Sequence, residues 1–243
     1  MWSALFWGLF AGSSLILGGA IALAFPIRER LLGLIMAFGA GVLISAVAFE
    51  LVAEAYETAA GSGSLALGLA AGALTFFLGD ALVDRMGGEG RKRMGGTAVA
   101  GSGLAIVLGI VLDGIPESAV IGLGLLEGTG VSVAVIAAVF LSNLPEAIAA
   151  TTGLAAGGWT RGKILGLWTA VTLVSGLASL LGYVVFDSAG PSALAFVLAF
   201  AGGAILTMLA DTMMPEAFEH GGKAVGLLTT LGFGVAFALT MLE

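Results

Sequence analysis

The chain has 243 residues, of which 59% are hydrophobic and 10% are charged, and its formal net charge is −7. Soluble domains carry about 25% charged residues, so a water-soluble fold of this length could not cover its surface with so few. Cysteine is absent, which excludes disulfides, thiolate metal sites and thiol redox chemistry. The composition predicts an integral membrane protein whose outer surface faces the lipid bilayer.

Apolar runs long enough to cross a membrane recur along the whole chain. A helix needs about 20 apolar residues to cross roughly 30 Å of hydrocarbon. Such runs predict eight transmembrane helices, at residues 3–25, 31–57, 65–83, 100–126, 131–156, 163–186, 191–218 and 222–242. We expect one all-α transmembrane domain over residues 1–243. Its connections are short except at residues 84–97, a Gly-rich, basic stretch that we expect to be a flexible cytoplasmic loop.

Glycines spaced four residues apart recur in these runs. Such pairs let membrane helices approach closely, where lipid gives no hydrophobic drive for association. They include Gly8 and Gly12, Gly68 and Gly72, and Gly153 and Gly157. We expect close helix–helix contacts at these positions, although a Gly-rich composition alone also produces such pairs.

The basic residues test the segmentation independently. With eight spans, every Lys and Arg falls in the first, third, fifth or seventh connection or within the two span residues that follow it: Arg28, Arg30, Arg85, Arg91, Lys92, Arg93, Arg161, Lys163 and Lys223. These four connections share one side of the membrane, which the positive-inside rule assigns to the cytoplasm. We therefore expect a multi-pass protein of the cell membrane with both termini outside the cytoplasm.

Acidic residues lie inside several predicted spans, with polar neighbours. An ionisable side chain at the centre of a bilayer costs at least about 2.5 kcal/mol, so its presence suggests a function. The candidates are Glu50 in the second span, Asp113 and Glu117 in the fourth, Ser142, Asn143 and Glu146 in the fifth, and Asp211 in the seventh.

The fourth and fifth spans share a motif that ends in Pro-Glu, at residues 113–117 and 142–146. Positions i and i+4 lie on one face of a helix, which predicts one oxygen-bearing pair of Asp113 with Glu117 and another of Ser142 with Glu146. Each proline also frees the carbonyl four residues earlier, and free carbonyls inside a membrane are tolerated where they line a cavity. A purely structural alternative is that each proline only kinks its helix while the glutamate forms a hydrogen bond with a neighbouring residue.

No Lys or Arg lies deeper in a predicted span than its second residue, so none is placed to balance these carboxylates. Two ionised carboxylates in a low dielectric repel each other unless a cation lies between them. A metal ion is the simplest source of that charge, and protons are the next. Oxygen donors favour hard or borderline metal ions over soft ones. The pattern predicts a cation site in the middle of the membrane.

These residues resemble the ZIP family of divalent-metal transporters, whose metal site is built mainly from Pro-Glu motifs on the fourth and fifth spans. Residues 38–50 resemble the second span of that family, residues 175–182 the sixth, and residues 211–216 the seventh. The segment at 84–97 occupies the place of the family's variable cytoplasmic loop. The resemblance implies eight helices in a 3+2+3 bundle, with an inverted pseudo-repeat of the first and last three, and a homodimer.

The departures from the family pattern concern the metal ligands. In the fourth span, Asp113-Gly114 replaces the His-Asn of the family, and in the fifth, Ser142-Asn143 replaces His or Gln followed by Asp. In the sixth span Ser179 replaces a Glu, and in the seventh Asp211-Thr212 replaces His-Glu. The resemblance thus implies one metal position instead of two, held by Glu117 and Glu146. Asp113, Ser142 and Asn143 would complete or tune it.

The expected function is a carrier that moves divalent metal ions of the zinc, manganese and iron class toward the cytoplasm. Glu50 and Asp211 would contact the ion or carry protons along the path. The metal is the transported substrate, and we expect no cofactor and no nucleic-acid partner. An intramembrane metalloprotease is not expected, because the sequence has no His-Glu-x-x-His motif. The alternative is a proton-coupled carrier of a small cationic solute other than a metal.

Overall fold

In a computed structural model, residues 1–59, 63–88, 103–127 and 132–242 are described, and their regular structure is entirely helical. The elements in chain order are α1 (Trp2–Ala24), α2 (Glu29–Ala59), α3 (Ser64–Met86), α4 (Gly103–Gly124), α5 (Val133–Ala156), α6 (Arg161–Phe186), α7 (Pro191–Met208, continued by Leu209–Met213 and Met214–Gly221) and α8 (Val225–Thr240). The prediction of an all-α fold is confirmed.

The lengths and compositions of the helices suit a multi-pass membrane protein. Six stretches of the described residues are long and apolar enough to cross a membrane, with Pro191–Thr240 counted as one stretch. Within that stretch Gly222 has a φ of 64°, a conformation that glycine adopts without strain, and it separates α7 from α8. Gly158, with a φ of 83°, does the same between α5 and α6.

The segment predicted to be a flexible loop at residues 84–97 is described only at its start. Asp84–Gly88 continue α3 as a π-helical turn. The remaining residues of the segment, including Arg91, Lys92 and Arg93, lie outside the described residues.

The helices pack in two groups. In the first group, α1 packs along α5 and α6, and α4 packs along α6. In the second, α2 packs along α7 and α8, and α3 packs along α7. The groups meet chiefly where α2 contacts α5 and where α4 contacts α7. The two Pro-Glu motifs lie on α4 and α5 of the first group, and α5 contacts α2 of the second group.

Glycines bring α2 and α8 together at their crossing. A Cβ atom added to Gly41 of α2 would overlap the carbonyl oxygen of Thr229 on α8. A Cβ added to Gly232 of α8 would overlap the carbonyl oxygen of Phe38 on α2. Each helix therefore offers a glycine to the backbone of the other, which is the close approach that small residues permit in membranes.

The same reciprocal contact recurs between α7 and α3. A Cβ at Gly203 of α7 would overlap the carbonyl oxygen of Leu69 on α3, and one at Gly72 of α3 would overlap that of Phe200 on α7. Gly203 and Phe200 of α7 follow Gly41 and Phe38 of α2 by the same number of residues. Gly232 and Thr229 of α8 likewise follow Gly72 and Leu69 of α3 by one common number of residues. Both α2 and α7 also contain a π-helical segment at matching places, Val47–Val52 and Leu209–Met213.

The contact between α1 and α6 combines glycines with hydrogen bonds between the helices. Gly8 and Gly12 of α1 lie against serines of α6, which confirms the close contact expected there, as Gly68 and Gly72 do against α7. The Thr172 hydroxyl donates to the Gly12 carbonyl at 2.9 Å. The Ser179 hydroxyl donates to the Ala4 carbonyl at 2.8 Å.

Replacing Thr172 by valine is expected to lower the free energy of unfolding by about 0.6 kcal/mol, the average for hydrogen bonds between membrane helices. Thr169→Val is the matched control, because the exposed Thr169 hydroxyl donates to the Leu165 carbonyl of its own helix. Unfolding titrations of both variants in detergent measure the difference. An equal loss in the two variants would contradict the assigned role of the α1–α6 bond.

Candidate functional site

The candidate residues of α4 and α5 lie in the middle of continuous helices. Pro116 and Pro145 are inside α4 and α5, and neither proline ends its helix. Asp113, Glu117, Ser142 and Asn143 are each buried to within a few per cent of full burial, while Glu146 is partly buried. The two motifs thus supply a concentration of oxygen donors in the interior of the bundle.

A contact between the side chains of Glu117 and Ser142 joins α4 to α5. The Ser142 Oγ atom lies 3.4 Å from Glu117 Oε1 and 3.3 Å from Oε2, and 3.1 Å from the carbonyl oxygen of Val139. A hydroxyl has one proton to donate, so it can serve only one of these acceptors at a time. Ser142 therefore approaches Glu117 of the other motif.

Asp113, Asn143 and Glu146 line one small cavity between α1, α4, α5 and α6. Its volume is about 20 Å³, enough for one water molecule or one ion of similar size. The other lining residues are Leu15, Ile110, Gly114, Ala150 and Trp168. Two carboxylates and one amide thus share a small space whose other walls are mostly apolar.

Glu117 lines a different cavity, of about 10 Å³. That cavity lies between the two helix groups, and its other walls are aliphatic residues of α2, α4, α5 and α7. Contacts between helices thus add to the predicted pairs along each helix, which stay predictions. Glu117 meets Ser142, and Asp113 shares its cavity with Glu146, because the neighbouring helix brings these side chains together.

The carboxylates were compared with the arrangement that a metal cluster requires. Among the residues that the structure describes, no group of three or more His, Cys, Asp or Glu side chains is arranged to hold a metal ion. A cation at Asp113 and Glu146 would draw its further oxygen ligands from the Asn143 amide, from backbone or from water. Carboxylate and amide oxygens with water are ligands suited to hard cations.

The other two predicted site residues lie in the π-helical segments of the second helix group. Glu50 is half-buried, and its Oε1 atom accepts a hydrogen bond of 2.7 Å from the Thr240 hydroxyl of α8. Asp211 is exposed on α7. Neither of them is among the residues that line the two cavities. The structure therefore does not bring Glu50 and Asp211 together with Asp113 and Glu146.

Two further groups have positions that bear on the site. Ser179, which stands where the ZIP pattern has a glutamate, is fully buried and donates to the Ala4 carbonyl, so it belongs to the α1–α6 contact. The Leu141 carbonyl, which Pro145 leaves without its helical donor, faces α2, where a Cβ at Gly39 would lie 3.1 Å from its oxygen. That carbonyl therefore points toward the boundary between the helix groups.

Sequence reasoning missed Trp168. This residue of α6 lines the cavity of Asp113 and Glu146, and its indole N–H donates to the Thr151 hydroxyl of α5 at 2.8 Å. Its ring lies directly against Gly19 of α1. In the sequence Trp168 is one tryptophan in an apolar run, and nothing local marks it as a site residue. The only signal is Thr151, a polar residue of α5 that could accept a hydrogen bond from a buried indole.

Searches of the chain against protein-family models and against curated proteins find no match. The likeness to the ZIP family therefore rests on the motifs of this sequence alone.

Proposed function

We propose that the protein is a membrane carrier for divalent metal ions and that the cavity of Asp113, Asn143 and Glu146 is its cation site. The observation that carries the proposal is the set of side chains that line this cavity. Two carboxylates and an amide line a space large enough for one ion, and no basic residue is among its described lining residues.

The charge of the surrounding helices supports a mobile cation. α1, α4 and α5 contain no Lys, Arg or His, and the basic residues of α6, Arg161 and Lys163, lie in its first turn. Burying an ionised carboxylate is costly unless a positive charge accompanies it. A cation that enters the cavity supplies that charge, and protons replace it when the cavity is empty. Because carboxylates must lose their protons to bind metal, binding should be weaker at low pH.

The size of the cavity favours a single ion over an organic solute. About 20 Å³ accommodates one particle the size of a water molecule, whereas even a small organic cation has several heavy atoms. The apolar walls and Trp168 are features that an organic cation would also use. A proton-coupled carrier of a small cationic solute is therefore kept as the second candidate.

Several features of the fold support a ZIP-like arrangement of eight spans. The reciprocal glycine contacts and the matching π-helical segments relate α2 to α7 and α3 to α8, as an inverted 3+2+3 repeat requires. The two Pro-Glu motifs on α4 and α5 fit the centre of such a repeat. The distribution of Lys and Arg supports termini outside the cytoplasm of the cell and transport toward the cytoplasm.

The remaining candidate residues receive roles outside the cavity. Glu117, with Ser142, would receive the ion between the two helix groups before or after it occupies the cavity. Glu50 and Asp211 would carry protons or contact the ion nearer the two ends of the path. The proposed protein is a homodimer, as the resemblance to the ZIP family implies.

Uptake into proteoliposomes tests the function. Vesicles that contain the purified protein and a metal-sensitive dye are expected to accumulate divalent ions, and a panel of Zn²⁺, Mn²⁺, Fe²⁺, Co²⁺ and Cd²⁺ should compete with one another. Methylammonium and guanidinium should not compete. Competition by these organic cations without any metal uptake would favour the second candidate, and the absence of both activities would overturn the proposal.

A further inference from the structure

Trp168 occupies one wall of the carboxylate cavity and is held there by two neighbours. Its side chain is 1% exposed. The indole N–H donates to the buried hydroxyl of Thr151, and the ring lies so close to Gly19 that a Cβ there would overlap it. A buried indole N–H needs a hydrogen-bond partner, so Thr151 and Gly19 together define where the ring sits.

Trp168 also belongs to a hydrophobic cluster that is separate from the main core. The cluster contains Leu15, Ala147, Ala150, Leu154, Ile164, Trp168 and Val171. Leu154 is two residues from the end of α5, and Ile164 lies in the first turn of α6. The cluster therefore extends from the cavity to the end of the bundle where α5 and α6 are connected.

We infer that Trp168 is the internal barrier that closes the cavity of Asp113 and Glu146 toward the α5–α6 connection, and that the Thr151 hydroxyl is its latch. The inference rests on the proposed function only in taking the species that passes the barrier to be a divalent metal ion. The ring must leave its place before any solute in the cavity can move toward this end, because the rest of the cluster is aliphatic and closely packed. Leaving breaks one buried hydrogen bond.

Thiol labelling tests the barrier without any metal ion. The chain contains no cysteine, so a single introduced thiol reports its own position. Gly114 lines the cavity, and a Cβ there meets nothing within 4 Å, so Gly114→Cys should fit. Gly162→Cys marks the α5–α6 end, and Gly190→Cys marks the opposite end, since a Cβ at either glycine also meets nothing within 4 Å.

The rate at which a membrane-impermeant methanethiosulfonate modifies Gly114→Cys is measured from each side of sealed vesicles. From the side that labels Gly162→Cys, Thr151→Val should raise this rate about fivefold. That is the effect of losing one buried hydrogen bond from the closed state. Trp168→Ala should raise it further. Thr152→Val is the matched control, because the Thr152 hydroxyl donates to the Ala149 carbonyl of its own helix, and it should leave the rate unchanged.

Several results would overturn the inference. They are unchanged rates in both the Thr151 and Trp168 variants, an equal rise in Thr152→Val, or a rise only from the side that labels Gly190→Cys. If Trp168→Ala does not fold, Thr151→Val still decides the question, since valine has nearly the shape of threonine. The labelling does not depend on metal uptake, so failure of the barrier and failure of the proposed transport are distinguishable.

Discussion

Replacing Glu146 by glutamine is expected to reduce divalent-metal uptake at least about 100-fold, because the amide keeps the shape of the side chain and removes its charge. Glu146 is one of the two acids in the cavity, and Glu117→Gln tests the acid that lies outside it. If the cavity is the cation site, Glu146→Gln should weaken metal binding itself. Glu117→Gln should slow uptake more than it weakens binding.

The measurements are initial uptake into proteoliposomes and metal affinity from titration calorimetry. Glu57→Gln is the control, because Glu57 is an exposed acid near the end of α2 and its replacement should change neither quantity. Thermal unfolding of each variant within a few degrees of the parent would show that the fold is intact. Unchanged uptake and affinity in a well-folded Glu146→Gln variant would rule out the cavity as the cation site.

The second large effect is expected from one added methyl group at the crossing of α2 and α8. Gly232→Ala should lower the free energy of unfolding by about 1–3 kcal/mol, the cost of overpacking, because its Cβ would overlap the Phe38 carbonyl. Two residues further along the same helix, Gly234 meets nothing within 4 Å. Gly234→Ala should therefore be neutral or stabilise by up to about 1 kcal/mol, the difference in helix propensity.

Chemical denaturation of both variants in detergent micelles measures this contrast. Gly122→Ala and Gly124→Ala repeat it on α4, where a Cβ at Gly122 would overlap the Ser179 carbonyl and one at Gly124 would meet nothing. The two glycines of each pair are two residues apart, so they lie at nearly the same depth along their helix. They differ in the face that they occupy, since Gly232 and Gly122 are buried against a neighbouring helix and Gly234 and Gly124 are not. Equal stabilities within both pairs would mean that the helices do not cross through these glycines.

The helix positions were predicted closely from the sequence because they depend on local properties. The runs predicted at 131–156 and 163–186 correspond to Val133–Ala156 and Arg161–Phe186. The length of an apolar run is set by the thickness of the hydrocarbon, and polar residues end it. At the start of α6, for example, the Thr160 hydroxyl accepts from the backbone N–H of Lys163.

The contacts between helices at the site could not be predicted from the sequence. The i, i+4 rule grouped Asp113 with Glu117, and Ser142 with Glu146, along their own helices. In the structure Ser142 reaches across to Glu117, and Asp113 and Glu146 line a common cavity. The rule places side chains on a face but does not say which neighbouring helix that face meets, and Trp168 was missed for the same reason.

The sequence by itself determined that this chain is helical and apolar enough for a membrane, and that acidic residues lie inside its apolar runs while the basic residues lie at or near their ends. These properties follow from composition and from the length of runs, which act residue by residue. Only the tertiary structure decided which acids share a cavity and which glycines carry a crossing. With 40 glycines in the chain, close contact is sterically permitted at many places, and the rotation of each helix about its axis selects among them.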